Sequence, residues 1–304
     1  MYSTTDIYTF TYPFFRSVGQ VMFQRSLFTG ILITLALFLA ASGIGGRGHI
    51  AVFIGIVVIT AAITAVARCF RYPGNADGLA GFNAVLVAAA LFTFFISGAG
   101  TWTLAMIGAL LTLPLKLLLD RLFAPVVSSL TLPFVLAAWI AVAVGNISGI
   151  SIPYTSEDIA SVPDLTPITL LTGLLKGVSQ VFLSDSWVAG VIILIALAVS
   201  SRKAAIWTLV GSASGMLLAL VCGLPAVEIA SGLWGFSPAL TALAVTTVLP
   251  PRRHRLPCLV TALLSTFAIQ MIATPLLALI HIPVLTFPFC VATILCAYLF
   301  PAES

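Results

Sequence analysis

Formal charge is the scarcest feature of this chain. Asp, Glu, Lys and Arg make up 7% of its 304 residues, against roughly a quarter of an ordinary soluble domain. So few charges cannot cover a water-facing surface, which excludes a soluble globular protein. Hydrophobic residues make up 61%, and uncharged runs of the length a bilayer needs, about 20 residues for a helix, recur almost throughout. Lipid is therefore the expected solvent. Met1 to Phe10 lack the basic cluster, apolar block and cleavage site of a signal peptide. The five cysteines, Cys69, Cys222, Cys258, Cys290 and Cys296, show no paired spacing, so disulfides and metal clusters are not expected and packing roles are. There is no nucleophile motif, no His-Glu-x-x-His pair and no Gly-x-x-x-x-Gly-Lys. These absences argue against an enzyme, against ATP coupling and against a cofactor. The net charge of +4 is spread between apolar spans rather than gathered on one face, which argues against nucleic acid as a partner.

What is present divides into ten candidate spanning helices, at 27–44, 50–67, 78–97, 101–119, 125–146, 187–201, 204–222, 232–249, 257–280 and 285–300. Two shorter apolar stretches, near 12–24 and 168–183, precede the first and sixth spans. They suit re-entrant half-helices, which lipid tolerates only where protein or a water-filled cavity surrounds the exposed backbone ends. With that topology one side collects Arg16, Arg25, Arg68, Arg71, Lys116, Arg121, Arg202, Lys203, Arg252, Arg253 and Arg255, and the other Arg47 and Lys176. The bias places both termini in the cytoplasm.

The chain also matches itself. Gln20-Val21 with Gly30 aligns with Gln180-Val181 with Gly190. Gly78-Leu-Ala-Gly-Phe82 aligns with Gly232-Leu-Trp-Gly-Phe236, and Leu130-Thr-Leu-Pro-Phe134 with Leu285-Thr-Phe-Pro-Phe289. Three matches in one order at nearly fixed offset signal an internal repeat. Residues 1–150 and 151–304 then each hold one half-helix and five spans. Five is odd, so the second copy enters the membrane inverted. Such folds bring equivalent residues of both copies together near the bilayer centre, where transport sites lie. The fold class expected is an all-α integral membrane protein of two inverted repeats. Phe82 and Phe236 offer flat apolar walls, Thr131 and Thr286 hydroxyls. Pro133 and Pro288 are expected to free backbone carbonyls one turn earlier. Gln20 and Gln180 place an amide in an apolar half-helix, which costs free energy unless its groups find partners.

On these segments, together with Gly173-Leu-Leu-Lys-Gly-Val-Ser-Gln-Val-Phe-Leu183, the chain resembles the urea transporter family over nearly its full length. The resemblance implies a homotrimer in a bacterial inner membrane, each protomer with its own passive pore for urea. Urea would pass in single file through a flat slot, with side chains at Gln20 and Gln180 and backbone carbonyls forming oxygen ladders. The walls would be Val21, Phe23, Phe82 and Leu86 from one half and Val181, Leu183, Phe236 and Leu240 from the other, with Thr131 and Thr286 at the centre. Many relatives carry a carboxylate where this chain has glutamine in both halves, and Ser237-Pro238 stands opposite Asn83-Ala84.

Two other transport classes compete. One is a channel for ammonia or a short amide; an ammonia pathway would be expected to put histidines in the pore, but His49, His254 and His281 fall in loops. An ion-coupled transporter needs buried carboxylates, whereas Asp77, Asp120, Asp185 and Glu228 lie near span ends.

Overall fold

A computed structural model describes residues 4–150, 162–250 and 254–302, and among these the regular structure is helical. A backbone in lipid has no water to satisfy its N–H and C=O groups, so these apolar runs close their hydrogen bonds within each segment. The helices are α1 (Thr4–Gln20), α2 (Leu27–Ala41), α3 (Ile50–Cys69), α4 (Phe82–Phe94), α5 (Ala99–Phe123), α6 (Leu132–Ser148) and α7 (Pro167–Ser179). They continue as α8 (Trp187–Ser200), α9 (Arg202–Val221), a short α10 (Ala226–Ala230), α11 (Phe236–Leu243), α12 (Arg255–Ala278) and α13 (Phe287–Leu299). Wider π-type winding over Ala244–Val248 prolongs α11. The boundary expected near residue 150 adjoins 151–161, outside the described residues.

All ten expected spans contain a helix, but their lengths differ from the reading above. Helices α3, α5, α9 and α12, of 20, 25, 20 and 24 residues, are long and apolar enough to cross a bilayer. The other six are shorter, 17 residues at most. The lost length lies where the repeated motifs fold as turns. Gly78 to Gly81 precede α4 as a turn, and Leu130-Thr131 and Leu285-Thr286 end in the caps of α6 and α13. Pro133 and Pro288 sit in the first two positions of those helices, where no preceding turn exists for a proline to disrupt. They start helices rather than freeing carbonyls within them, which corrects the expectation. Helix α1 begins at Thr4, earlier than the expected half-helix, and accommodates Pro13.

Side-chain oxygens place several starts. Ser26 accepts from the Thr29 amide, Ser186 from Ala189, Ser201 from Ala204 and Thr166 from Thr169, each relieving a donor left over in a first turn. Helices α2 and α8 pack side by side across the molecule. There the Thr29 hydroxyl donates to the Ala196 carbonyl at 3.3 Å and Ser200 to the Gln24 side chain at 2.8 Å. Outward faces carry exposed Ile31, Leu35 and Phe38 on α2 and Leu264, Ile272 and Leu276 on α12. An apolar exterior around an apolar interior is what a lipid-embedded protein presents. All five cysteines are free. Cys258, Cys290 and Cys296 are packed in the interior as expected, while Cys69 and Cys222 are exposed at helix ends.

Gly78 and Gly232 show why the motif needs glycine. They have φ of 85° and 76°, a region costly for residues with a Cβ. A Cβ on Gly78 would lie 2.4 Å from the Arg16 carbonyl carbon, and one on Gly232 would lie 2.3 Å from the Gly177 amide nitrogen. The turn before α4 thus presses on α1, and the turn before α11 on α7. We expect Gly78→Ala to cost about 2 kcal/mol or more. Gly98→Ala, whose Cβ would meet nothing within 4 Å, should be near neutral. Thermal denaturation of the purified protein followed by size-exclusion chromatography checks both.

Candidate functional site

Two short turns build the site. Helix α1 ends at Gln20, and the chain reverses through Phe23, whose amide donates to the Gln20 carbonyl at 2.9 Å. Helix α7 ends at Ser179, and the Leu183 amide donates to the Gln180 carbonyl at 2.9 Å. Phe23 and Leu183 both hold left-handed backbone, with φ of 55° and 54°, a conformation costing a non-glycine residue roughly 1–2 kcal/mol. The same strain at two matched positions requires firm support from the surroundings.

The glutamines supply part of that support. Gln20 Nε2 donates to the Asp77 carbonyl and Gln180 Nε2 to the Ser231 carbonyl, each at 3.0 Å. Both acceptors immediately precede the left-handed glycines described above. Because only the amide NH2 can serve a carbonyl, this bond fixes the flip of each side chain and leaves Oε1 as its acceptor end. The half-helix brace and the remaining acceptor are therefore two ends of one amide. The C-termini of α1 and α7 add the negative ends of their dipoles, and the carbonyls of Gly19, Gln20, Ser179 and Gln180 there accept from turn amides.

At the centre the hydroxyls of Thr131 and Thr286 lie 2.7 Å apart, and Thr131 Oγ1 is 3.3 Å from Cys290 Sγ. Each threonine occupies the N-cap position of its helix, α6 or α13, with its hydroxyl turned to the other threonine rather than to its own first turn, so two helix starts meet there. The phenylalanines after the prolines reach across. Phe289 faces Phe23, ring centroids 6.2 Å apart and tilted by 57°, and Phe134 shares a cavity with Leu183.

That cavity, about 190 Å³, is lined by Gln180, Val181, Leu183, Phe236 and Thr286 of the expected set, joined by Phe94, Phe134, Leu233 and Pro283 to Leu285. Its polar side chains are an amide and a hydroxyl; every other lining side chain is apolar. Val21, Leu86, Leu240 and Thr131 are wholly buried and support the site from behind in this conformation. Phe82 and Phe236 open α4 and α11 and are nearly buried. Sequence reasoning missed Phe134 and Phe289 as site residues, although both belong to the repeated Leu-Thr-x-Pro-Phe element.

Carboxylates near the site are engaged. Asp77 pairs with Arg25 at 2.7 Å and Arg16 at 3.6 Å, Asp185 with Lys176 at 2.9 Å, and Asp120 with Lys116 at 2.7 Å. Glu228 Oε2 accepts from the Trp234 indole at 2.9 Å. The Tyr72 hydroxyl, in the loop after α3, donates to the Leu113 carbonyl at 3.0 Å. Burial, with a smaller push from Asp120, raises that phenol to about 12, so it stays a donor and ties the loop to α5.

The sequence profile of the family described as urea transporter matches residues 12–300. Urea transporter 1 of Rattus norvegicus, of Ovis aries and of Capra hircus are each 29% identical to this chain over 296 residues, covering 92% of it and 74% of their own lengths.

The threonine pair yields a test independent of transport. Thr131→Val leaves the Thr286 hydroxyl without its partner, and Thr286→Val does the reverse, whereas the double variant removes both. A double-mutant cycle of thermal stability is expected to return a coupling of about 1 kcal/mol between them.

Proposed function

The chain belongs to the urea transporter family, and on that premise we propose that it is a passive, channel-like conductor of urea. In this reading residues 1–150 and 151–304 are inverted repeats, and the pore runs between them. The observation that carries it is the paired geometry of the two halves: matched left-handed turns, matched glutamine braces at 3.0 Å, and threonines meeting at 2.7 Å.

Urea is small, neutral and flat, with N–H donors along its edges and a faintly polar face. A slot wide in one direction and narrow in the other admits a plate and turns away a sphere. Phe82 and Phe23, backed by Val21 and Leu86, form the walls of one half, and Phe236, Val181 and Leu183, backed by Leu240, those of the other. The Oε1 atoms of Gln20 and Gln180, with the carbonyls ending α1 and α7, replace water on the solute's edge as carbonyls replace hydration in ion filters. Each hydrogen bond is worth about 1 kcal/mol net, enough to admit the solute and too little to trap it. Thr131 and Thr286 exchange their mutual bond for bonds to the passing molecule. Together these residues make up the selectivity filter.

A passive mechanism is favoured over ion coupling because the four carboxylates discussed above are engaged by cations or by an indole donor at helix ends and in loops. The histidines give no support to an ammonia pathway: His49 caps α3, His254 adjoins α12 and His281 lies in the turn after α12. We place the protein as a homotrimer in a bacterial inner membrane with both termini cytoplasmic.

Stopped-flow urea efflux from liposomes holding the purified protein is the test. The wild type should release urea well above empty vesicles. Thr131→Val and Gln180→Leu should each slow release roughly fivefold, the equivalent of about one net hydrogen bond. Vesicles no leakier than empty ones would refute the function, and unchanged flux in both variants would refute the site.

A further inference from the structure

A lining built of acceptors has a cost in selectivity. Guanidinium is flat like urea, trigonal like urea and richer in N–H donors, and it carries a positive charge that glutamine oxygens and helix C-termini attract. Neither the shape of the slot nor its ladders turn this cation away. Desolvation opposes its entry, but so it does for every charged solute, and the acceptors offset part of that penalty.

Lys116 sits where the missing discrimination is needed. It lies within α5, is 8% exposed, and holds its Nζ 5.5 Å from the centroid of the Phe82 ring. Its partner is Asp120, one helical turn further on, with Oδ2 at 2.7 Å. The other carboxylate oxygen is occupied elsewhere. Asp120 Oδ1 accepts from the Ser129 amide at 2.8 Å and the Ser129 hydroxyl at 2.7 Å. The pair is therefore a fixed dipole, its acid end tied to the turn that leads into Thr131 and its cationic end against Phe82. The matched position in the second half, 154 residues on, is Gln270. That side chain is 3% exposed, neutral, and donates to the Leu233 carbonyl at 2.8 Å. The Phe236 end of the slot thus has an amide where the Phe82 end has a charge.

We infer that Lys116 is a specificity residue that excludes planar cations from the Phe82 end of the slot, leaving urea, which has no net charge, free to pass. The inference rests on the function proposed above and adds to it the means of rejecting a charged isostere. It also assigns the two ends different tasks. Solute recognition is shared between the halves, while charge rejection belongs to the half that contains α5.

The experiment compares guanidinium and urea fluxes in liposomes reconstituted with the wild type, with Lys116→Arg and with Lys116→Gln/Asp120→Asn, which removes both charges together. Asp120 offsets part of the Lys116 charge, so a cation beside Phe82 feels the difference between the near and far ends of the pair, which at the effective dielectric of protein sites shifts its entry by roughly tenfold. The guanidinium-to-urea flux ratio should therefore rise roughly tenfold in the neutral double variant and stay low in Lys116→Arg. A ratio unchanged in a double variant that still carries urea overturns the inference and leaves the function standing. Should the double variant not fold, the wild type decides in vesicles of known orientation. Guanidinium should compete with urea from the Phe236 side and not from the Phe82 side, and equal competition from both sides overturns the inference. A wild type that carries no urea at all removes the function, and the inference with it.

Discussion

A peptide group in hydrocarbon must be hydrogen-bonded by protein, and the architecture of this chain follows from that constraint. Helices meet it on their own. Turns do not, and this chain places several turns among its helices: the ends of α1 and α7, the glycine turns before α4 and α11, and the capped starts of α6 and α13. Each leans on another. The glutamine ending one helix donates to the carbonyl beside the neighbouring glycine turn, and that turn presses against the same helix closely enough to exclude a methyl group. Short helices are the result, because residues that an apolar run would have spent on spanning are spent on bends that only protein can cover.

The same arrangement bears on the few acceptors of the site. The bends consume N–H donors: two amide NH2 groups on carbonyls, and turn amides on the carbonyls of Gln20 and Gln180. The remaining end of each glutamine amide is an acceptor, Oε1. In the reading proposed above, that oxygen serves a solute made of N–H edges. On that reading structural bracing and solute recognition are complementary uses of one amide, and a substitution at Gln20 or Gln180 disturbs both.

Much of this was legible in the residues. Uncharged runs located every long helix, since charge inside lipid is too costly to be scattered at random. The repeated glutamine, glycine and threonine elements pointed to residues that the structure places in matched turns or in direct contact. Helix limits were less legible. Gly78 to Gly81 and Leu285-Thr286 are as apolar as the helices they precede, and hydropathy does not register a left-handed glycine or a capping threonine. Pro133 was misread for a related reason: proline looks alike in sequence whether it opens a helix or bends one, and only the position of the preceding turn distinguishes them. Phe134 and Phe289 carry no local mark of a site role: the Phe289 ring meets Phe23 of the other half and Phe134 lines the cavity with Leu183 only once the halves are packed. Lys116 with Asp120 reads as a surface i, i+4 pair. Its burial against Phe82 depends on how α4 packs on α5, which no local pattern encodes.

The bond between the two central threonine hydroxyls has a consequence for what else crosses the bilayer. In the slot proposed here, the two hydroxyls at the unloaded midpoint hold one bond between them, one donating and the other accepting. Hydrons migrate by hopping along an unbroken file of water, and in that slot apolar walls, which offer water no hydrogen-bonding partner, would break such a file. A cell could then keep such a conduit permanently open to a neutral metabolite without discharging the electrochemical gradient on which its energy supply depends.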